Sequence, residues 1–177
     1  EYVASMKEDQ KYIYYACGET IARIGQLPQL ELLKDKGYDV LCLTDDVDEF
    51  VMRMLVKFEE KELRSVASGD LGLETEEEKK AAEEQSSEKK ELLDFLKAKL
   101  DGKVAAVRLC QRLKSHPVCL TSQGELYLEM EKVLNAMPVE QKVKAERVLE
   151  LNPNHPVFQT LCNLFDTDRE KLGQYAD

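Results

Sequence analysis

The stretch DVLCLTDDVDEFVMRML, residues 39–55, changes its periodicity midway. Val40 to Leu43 form a short unbroken apolar run, the pattern of a strand buried on both faces in a parallel sheet. From Asp45 onward acids gather, as suits a helix start where backbone N–H groups point outward. Val47, Phe50, Val51 and Met54 then share one helical face, which periodicity assigns to the core. Met52 lies off that stripe and has no packing reason to be apolar. A strand running straight into a helix is the building unit of an α/β fold.

Working outward, KYIYYAC (11–17) has the Tyr and Ile content of another strand, and Gly18 ends it. A helical stretch around Glu19 to Gly25 follows, then LPQLELLKDKG (27–37), with Gly37 as its C-terminal stop. ELRSVA (62–67) closes the series as a third strand. SGDLG (68–72) reads as a boundary. Beyond it, TEEEKKAAEEQSSEKKELLDFLKAKL (75–100) predicts one long helix, solvated early and docked late through Leu92, Leu93, Phe95, Leu96 and Leu100. VAAVRLCQRL (104–113), VCLTS (118–122) and RVLELN (147–152) read as strands. NPNHP (152–156) is a turn in which Asn154 is the expected cap of the helix HPVFQTLCNLF. The expected fold class is α/β followed by α+β: a small three-layer α/β piece over residues 1–69, then a piece over residues 70–177 with a short mixed sheet and helices.

Between the last two strands stands GELYLEMEKVLNAM, residues 124–137. Helical spacing places Leu126, Tyr127, Met130, Val133, Leu134 and Met137 on one stripe, with Glu125, Glu129, Lys132 and Asn135 opposite. Periodicity fits a core helix. Methionine is also the adaptable side chain that promiscuous binding surfaces favour. Both readings stand at this point: the stripe faces the protein's own interior, or another chain.

The charge balance narrows the function classes. A net charge of −10 argues against nucleic acid as a partner, because phosphate binding needs clustered Lys and Arg. No apolar run approaches the roughly 20 residues that span a bilayer, and the polar EYVASMKEDQ is no secretory signal. The expected location is the cytoplasm, with no membrane partner. Lacking an initiator Met, the chain is expected to be a piece of something longer. The five cysteines (Cys17, Cys42, Cys110, Cys119, Cys162) include no CxxC pair and are expected to be reduced, buried thiols, with Cys17 and Cys42 in strands.

Little here points to chemistry. His116 and His155 each precede proline in a turn, and no ligand set has metal spacing. Acids in DDVDE lack the pattern of a calcium loop. Gly18–Glu19–Thr20 follows a strand and opens a helix, but neither GxGxxG nor GxxxxGK[ST] surrounds it. No catalytic residue, metal site or cofactor is expected in this chain.

Three segments are similar to a known family. EYVASMKEDQKYIYYACGE (1–19) resembles its EYxxRMKExQxxIYYxxG(D/E), and LELLKDKGYDVLCLTDDVDEF (30–50) its LExLxxKGxEVLxLxDxIDE(W/F). RVLELNPNHPVF (147–158) resembles xxLEINPxHPxx. The family is that of the bacterial heat-shock protein 90 chaperones. The resemblance implies an ATP-dependent molecular chaperone with an N-terminal ATP-binding domain, a middle domain and a C-terminal dimerisation domain. Residues 1–69 would be the C-terminal part of the middle domain, and residues 70–177 the C-terminal domain lacking its terminal dimerisation helices. ATP and Mg would bind upstream, leaving this fragment without enzymatic activity. Its partners would be non-native client proteins and the protein's own N-terminal and upstream middle domains. The full-length protein would be a homodimer, and this fragment mainly a monomer.

By position, the resemblance implies client contacts at Glu49, Phe50, Met52 and Arg53 in the first part. It implies others at Leu126, Met130, Val133 and Leu134 in the second, around the cleft between middle and C-terminal domains. Phe50 stands where many bacterial relatives carry Trp, and Arg53 where Asn is common. The competing reading is a small-molecule or nucleotide-binding α/β enzyme fragment with Gly18 to Thr20 as a phosphate cradle.

Overall fold

Strand β1 (Ile13–Cys17) is the centre of the first sheet, with four of its five residues buried. Such burial explains its Tyr/Ile content: both faces are covered, so polar alternation is absent. Strands β2 (Leu41–Leu43) and β4 (Lys61–Ser65) flank it in parallel, and β3 (Lys57–Phe58) adds antiparallel to β4, giving the order β2-β1-β4-β3. The computed structural model describes residues 2–138 and 142–176. Among them it contains nine α-helices and two small sheets, the mixed α/β content expected. They form two compact units: Glu1–Leu71 with Ser122–Ala145, and Gly72–Thr121 with Glu146–Asp177.

In the first unit, α1 (Tyr2–Ser5), α2 (Ile21–Ile24), a 3-10 turn (Pro28–Leu30), α3 (Glu31–Lys36) and α4 (Asp48–Leu55) accompany the sheet. Gly37 ends α3 at φ 65°, a left-handed position that favours glycine, and its N–H closes on Lys34 O at 3.0 Å. Tyr14 is fully buried, yet its hydroxyl reaches Leu71 O at 3.0 Å, so the phenol enters the core without an orphaned donor. Strand β2 departs from expectation. As an edge strand it leaves Cys42 exposed, while Cys17 is half-buried and Cys110, Cys119 and Cys162 are buried. All five thiols are free.

Residues 122–145, which follow the expected boundary at residue 70 in the chain, pack with this first unit. They include α7 (Leu128–Ala136). Ser122 forms a parallel bridge to Ser68.

The second unit opens with α5 (Glu76–Glu88), capped reciprocally by Thr75 and Glu78. The expected single helix is instead two. Lys89 leaves helical geometry at φ −99°, ψ 10°, and α6 (Lys90–Lys99) follows. The break falls where composition changes: α5 has no apolar stripe, whereas α6 buries Leu92, Leu93 and Leu96. These leucines join Leu109, Leu151, Phe158, Phe165 and Leu172 in one core. Its sheet has the order β5-β7-β6, from β5 (Ala106–Leu109), β7 (Glu146–Leu151) and β6 (Val118–Gln123), with β5 and β7 parallel. Helices α8 (Pro156–Thr167) and α9 (Arg169–Tyr175) complete the unit.

Asn154 is not the cap of α8. His155 is, its Nδ1 accepting from the Val157 N–H at 3.1 Å, because Pro156 at the first helical position fixes the preceding residue as the cap. Asn152, fully buried, holds the turn instead by donating to Lys114 O and His116 O at 3.2 and 3.0 Å.

A buried ion cluster stands beside this turn. Glu150 pairs in register with Arg108 and accepts from it at 2.8 Å; Arg112 donates to its other oxygen at 2.6 Å, and Thr121 adds a bond at 3.1 Å. Burial alone would raise the Glu150 pKa, but the Arg112 and Arg108 charges and hydrogen bonds hold it below the ordinary carboxylate range.

Candidate functional site

Helix α4 is turned inside out relative to its periodicity. Val47, Val51 and Met54, the stripe expected in the core, lie in solvent, with Met54 85% exposed. Phe50 is half-buried. The residue that points inward is Glu49, 3% exposed. Tyr15 donates to its carboxylate at 3.0 Å. Burial raises the Glu49 pKa, an effect that its polar neighbours Cys17, Tyr15 and Ser65 and the nearby Arg53 charge only partly offset. Burial, and then the Glu49 charge, likewise push the Tyr15 phenol and Cys17 thiol up. Glu49 therefore fails as a surface contact. Its side chain is an internal anchor that fixes how α4 sits on the sheet.

Leu55, the last residue of α4, and Val56 and Phe58 beyond it are also exposed. Val56 is held at φ 61°, unusual for a β-branched residue, where α4 turns into β3. No periodicity argument signalled this extension, because strand β3 is two residues long and turn-bound.

Helix α7 packs against α4 within the same unit. Tyr127, just before it, is 9% exposed, and the Arg53 guanidinium carbon lies 4.8 Å from its ring centroid. None of the helix's own residues is fully buried. Leu126, Met130, Val133 and Leu134 are half-buried and Met137 is exposed. Polar contacts fasten the helix beside the stripe: Glu131 accepts from Ala145 N–H at 2.7 Å, and Asn135 exchanges two bonds with Val143 at 2.8 and 3.0 Å. The stripe is thus neither a closed core nor a free face; Tyr127 anchors it and its remainder stays within reach of solvent.

Met52 borders two grooves and Arg53 one of them. One, of about 390 Å³, is lined by Met52, Arg53, Arg64, Ser65 and Tyr127 among others. Its neighbour, of about 570 Å³, is lined mainly by apolar side chains including Ile13, Leu41, Leu55 and Phe58. Met52 and Leu63 line both. The apolar character of Met52, unexplained by the helix stripe, is that of a shared groove wall.

The turn after β1 has the wrong charge for a phosphate cradle. Gly18 N–H is already committed to Leu43 O at 3.1 Å, and Thr20 caps a helix of only four residues. The recess there, about 30 Å³, is lined by Glu19, Asp45, Asp46, Glu49 and Glu129, which would repel an anion. Among the described residues, no group of three or more His, Cys, Asp or Glu is placed to hold a metal ion. No helix among the described residues is long and apolar enough to cross a membrane.

Comparison with known proteins agrees with the sequence motifs. Residues 1–175 match the family described as Hsp90 protein. The chain is 55% identical over all its 177 residues to the chaperone protein HtpG of Clostridium botulinum (strain Langeland). It is equally similar to chaperone protein HtpG of Bacillus subtilis (strain 168), again 55% over 177 residues. To that of Halalkalibacterium halodurans it is 57% identical over 176 residues, 99% of this chain. In each case the chain spans 28% of the relative's length. With the family match running through both units and more than half of the aligned residues identical, the chain belongs to the Hsp90 family.

Proposed function

We propose that this chain is a piece of an ATP-dependent molecular chaperone, and that its first unit holds non-native client proteins on the apolar surface of α4 and α7. The observation that carries this reading is the orientation of α4, which buries a glutamate and leaves Val51, Met54 and Leu55 in water. A contiguous exposed apolar face suits the exposed hydrophobic segments of unfolded chains, which it meets without sequence-specific contacts. Phe50, Val51, Met52, Arg53 and Met54 on α4, with Leu126, Met130, Val133 and Leu134 on and beside α7, form the contact set; Glu49 positions α4 from inside.

The same reading assigns residues 1–69 to the end of a middle domain and residues 70–177 to a C-terminal domain. It gives ATP with Mg, and homodimerisation, to the longer cytoplasmic protein. This chain alone then holds clients as a monomer and turns over no ATP.

The test is binding of a reduced, alkylated and permanently unfolded protein, followed by fluorescence anisotropy. Val51→Ser combined with Met54→Ser should weaken binding about tenfold or more, since two apolar contacts are lost. Stability should stay within about 0.5 kcal/mol per site, because both side chains are already exposed. Unchanged affinity in the folded variant overturns the reading.

A further inference from the structure

A groove of about 390 Å³ in the first unit is lined by two arginines, Arg53 and Arg64, of which Arg64 is held in long ion pairs. Arg53 stacks on Tyr127 with its guanidinium carbon 4.8 Å from the ring centroid, and Arg64 on Tyr12 at 3.8 Å. Stacking uses the face of a guanidinium and orients it while leaving its edge N–H donors available. Arg64 is ion-paired with Glu62 and Asp70 at 3.8 and 3.9 Å, too long for hydrogen bonds, so its edge donors are free to meet a closer acceptor. Among the described residues, Arg53 has no carboxylate in ion-pair range. Its attraction to Glu49 acts through space, and that carboxylate already accepts from Tyr15.

Around these two cations the groove is lined by Met52, Val56 and Leu63, and the first and last of these also wall the apolar groove next door. A recess bearing two arginines and an apolar trough therefore share one wall. We propose that the pair takes an extended polypeptide segment in which a single Asp or Glu is flanked by apolar residues. The carboxylate accepts from the Arg53 and Arg64 forks, and its apolar neighbours lie along Met52, Leu55 and Phe58. This rests on the client-binding reading above and names the class of client segment that the surface prefers. Asp70 also lines the recess. Its charge favours a monoanionic carboxylate over a dianionic phosphoryl group and sets a limit of one acid per site.

The experiment uses the whole chain and fluorescent peptides of one apolar sequence whose central residue is Glu, Gln, Lys or phosphoserine. Glu should bind about tenfold more tightly than Gln, as expected of charge-assisted bidentate bonds. Lys should bind more weakly than Gln, and the preference for Glu should shrink as salt is raised. In Arg53→Gln and in Arg64→Gln the ratio of Glu to Gln affinity should fall towards one. Arg64→Lys, which keeps the charge but loses the fork, should fall between. Equal binding of Glu and Gln to the wild type overturns the proposal, as does tighter binding of phosphoserine or a preference that survives in both variants. If Glu and Gln bind equally and Val51→Ser/Met54→Ser weakens both, the client surface stands and only the acidic preference is lost. If neither the peptides nor the unfolded protein bind, both readings fall.

Discussion

Tyr15 on β1 donates its hydroxyl to the Glu49 carboxylate of α4 at 3.0 Å, inside the first unit. One hydrogen bond to a central strand thus pins the polar residue of the helix inward. Helical geometry then carries Val47, Val51 and Met54 round to the water side. The arrangement is costly twice over, since a carboxylate is buried and apolar surface is left exposed. Such a cost is understandable where the exposed face has work to do.

The first prediction concerns the pH dependence that this burial creates. Folding raises the Glu49 pKa above its unfolded value, which is about 4.3. Between those two values the folded state holds the proton more tightly, so this group's contribution to stability falls as pH rises through them. Glu49→Gln removes the ionisation while keeping an acceptor for Tyr15. Denaturant titrations from about pH 4 to pH 7 should show the variant gaining on the wild type as pH rises. Parallel curves across that range would contradict the buried carboxylate.

The Arg108–Glu150–Arg112 cluster of the second unit predicts the opposite slope. Its carboxylate is held below the ordinary range, so its contribution is complete above the unfolded value and lost as pH falls through the folded one. Glu150→Ala should cost about 3–5 kcal/mol, because buried Arg112 loses the carboxylate that it pairs with at 2.6 Å. Replacing the buried pair together, Arg112→Met with Glu150→Leu, should recover most of that loss. Arg108 is partly exposed and can turn to water. A double variant no better than the single one would mean that packing, not the stranded charge, sets the cost.

How far these features were legible in the sequence depends on whether their causes are local. Strand β1 and the Gly37 stop were readable, because their causes lie in side-chain chemistry a few residues apart. The burial of Glu150 was half-signalled in RVLELN, where it shares an alternating face with Val148, but its partners come from another strand. The inversion of α4 was hidden, since periodicity shows that a helix has two faces and not which one a distant tyrosine will claim. The same holds for α7, whose place beside α4 is set by contacts far away in the chain. In the candidate site, family resemblance singled out Phe50, Met52 and Arg53, whereas Arg64 and Tyr12 emerged only from their stacking.

Val56 offers a prediction about stored strain. It sits at φ 61°, its N–H bonded to Met52 O at 3.1 Å and its carbonyl accepting from Leu63 N–H at 2.8 Å. Those two bonds hold a β-branched residue where L side chains are strained, at about 1–3 kcal/mol. Its side chain is exposed, so deleting it loses little packing. Val56→Gly should stabilise the chain by about 1 kcal/mol after glycine's own entropy is charged against it. Val56→Ala, still non-glycine at positive φ, should gain less. A destabilised glycine variant in thermal or denaturant melts would show that the conformation carries no strain.

The final prediction separates anchor from contact along GELYLEMEKVLNAM. Tyr127 is nearly buried and stacked under Arg53, so Tyr127→Ala opens a cavity and should cost about 3 kcal/mol. Met130, one turn on, belongs to a helix with no fully buried residue. Met130→Ala should then cost no more than about 1 kcal/mol, between a surface change and a core truncation. Its affinity for an unfolded protein should nevertheless fall severalfold, because a flexible thioether is lost from the contact face. Melting and binding must be measured on the same preparation. Loss of both in Met130→Ala would mean that the helix had come away from the unit and that the binding result reports unfolding. Loss of neither would remove Met130 from the contact set, leaving α4 as the client surface without its neighbour. Retained stability with weakened binding is the outcome that the half-buried placement of Met130 requires.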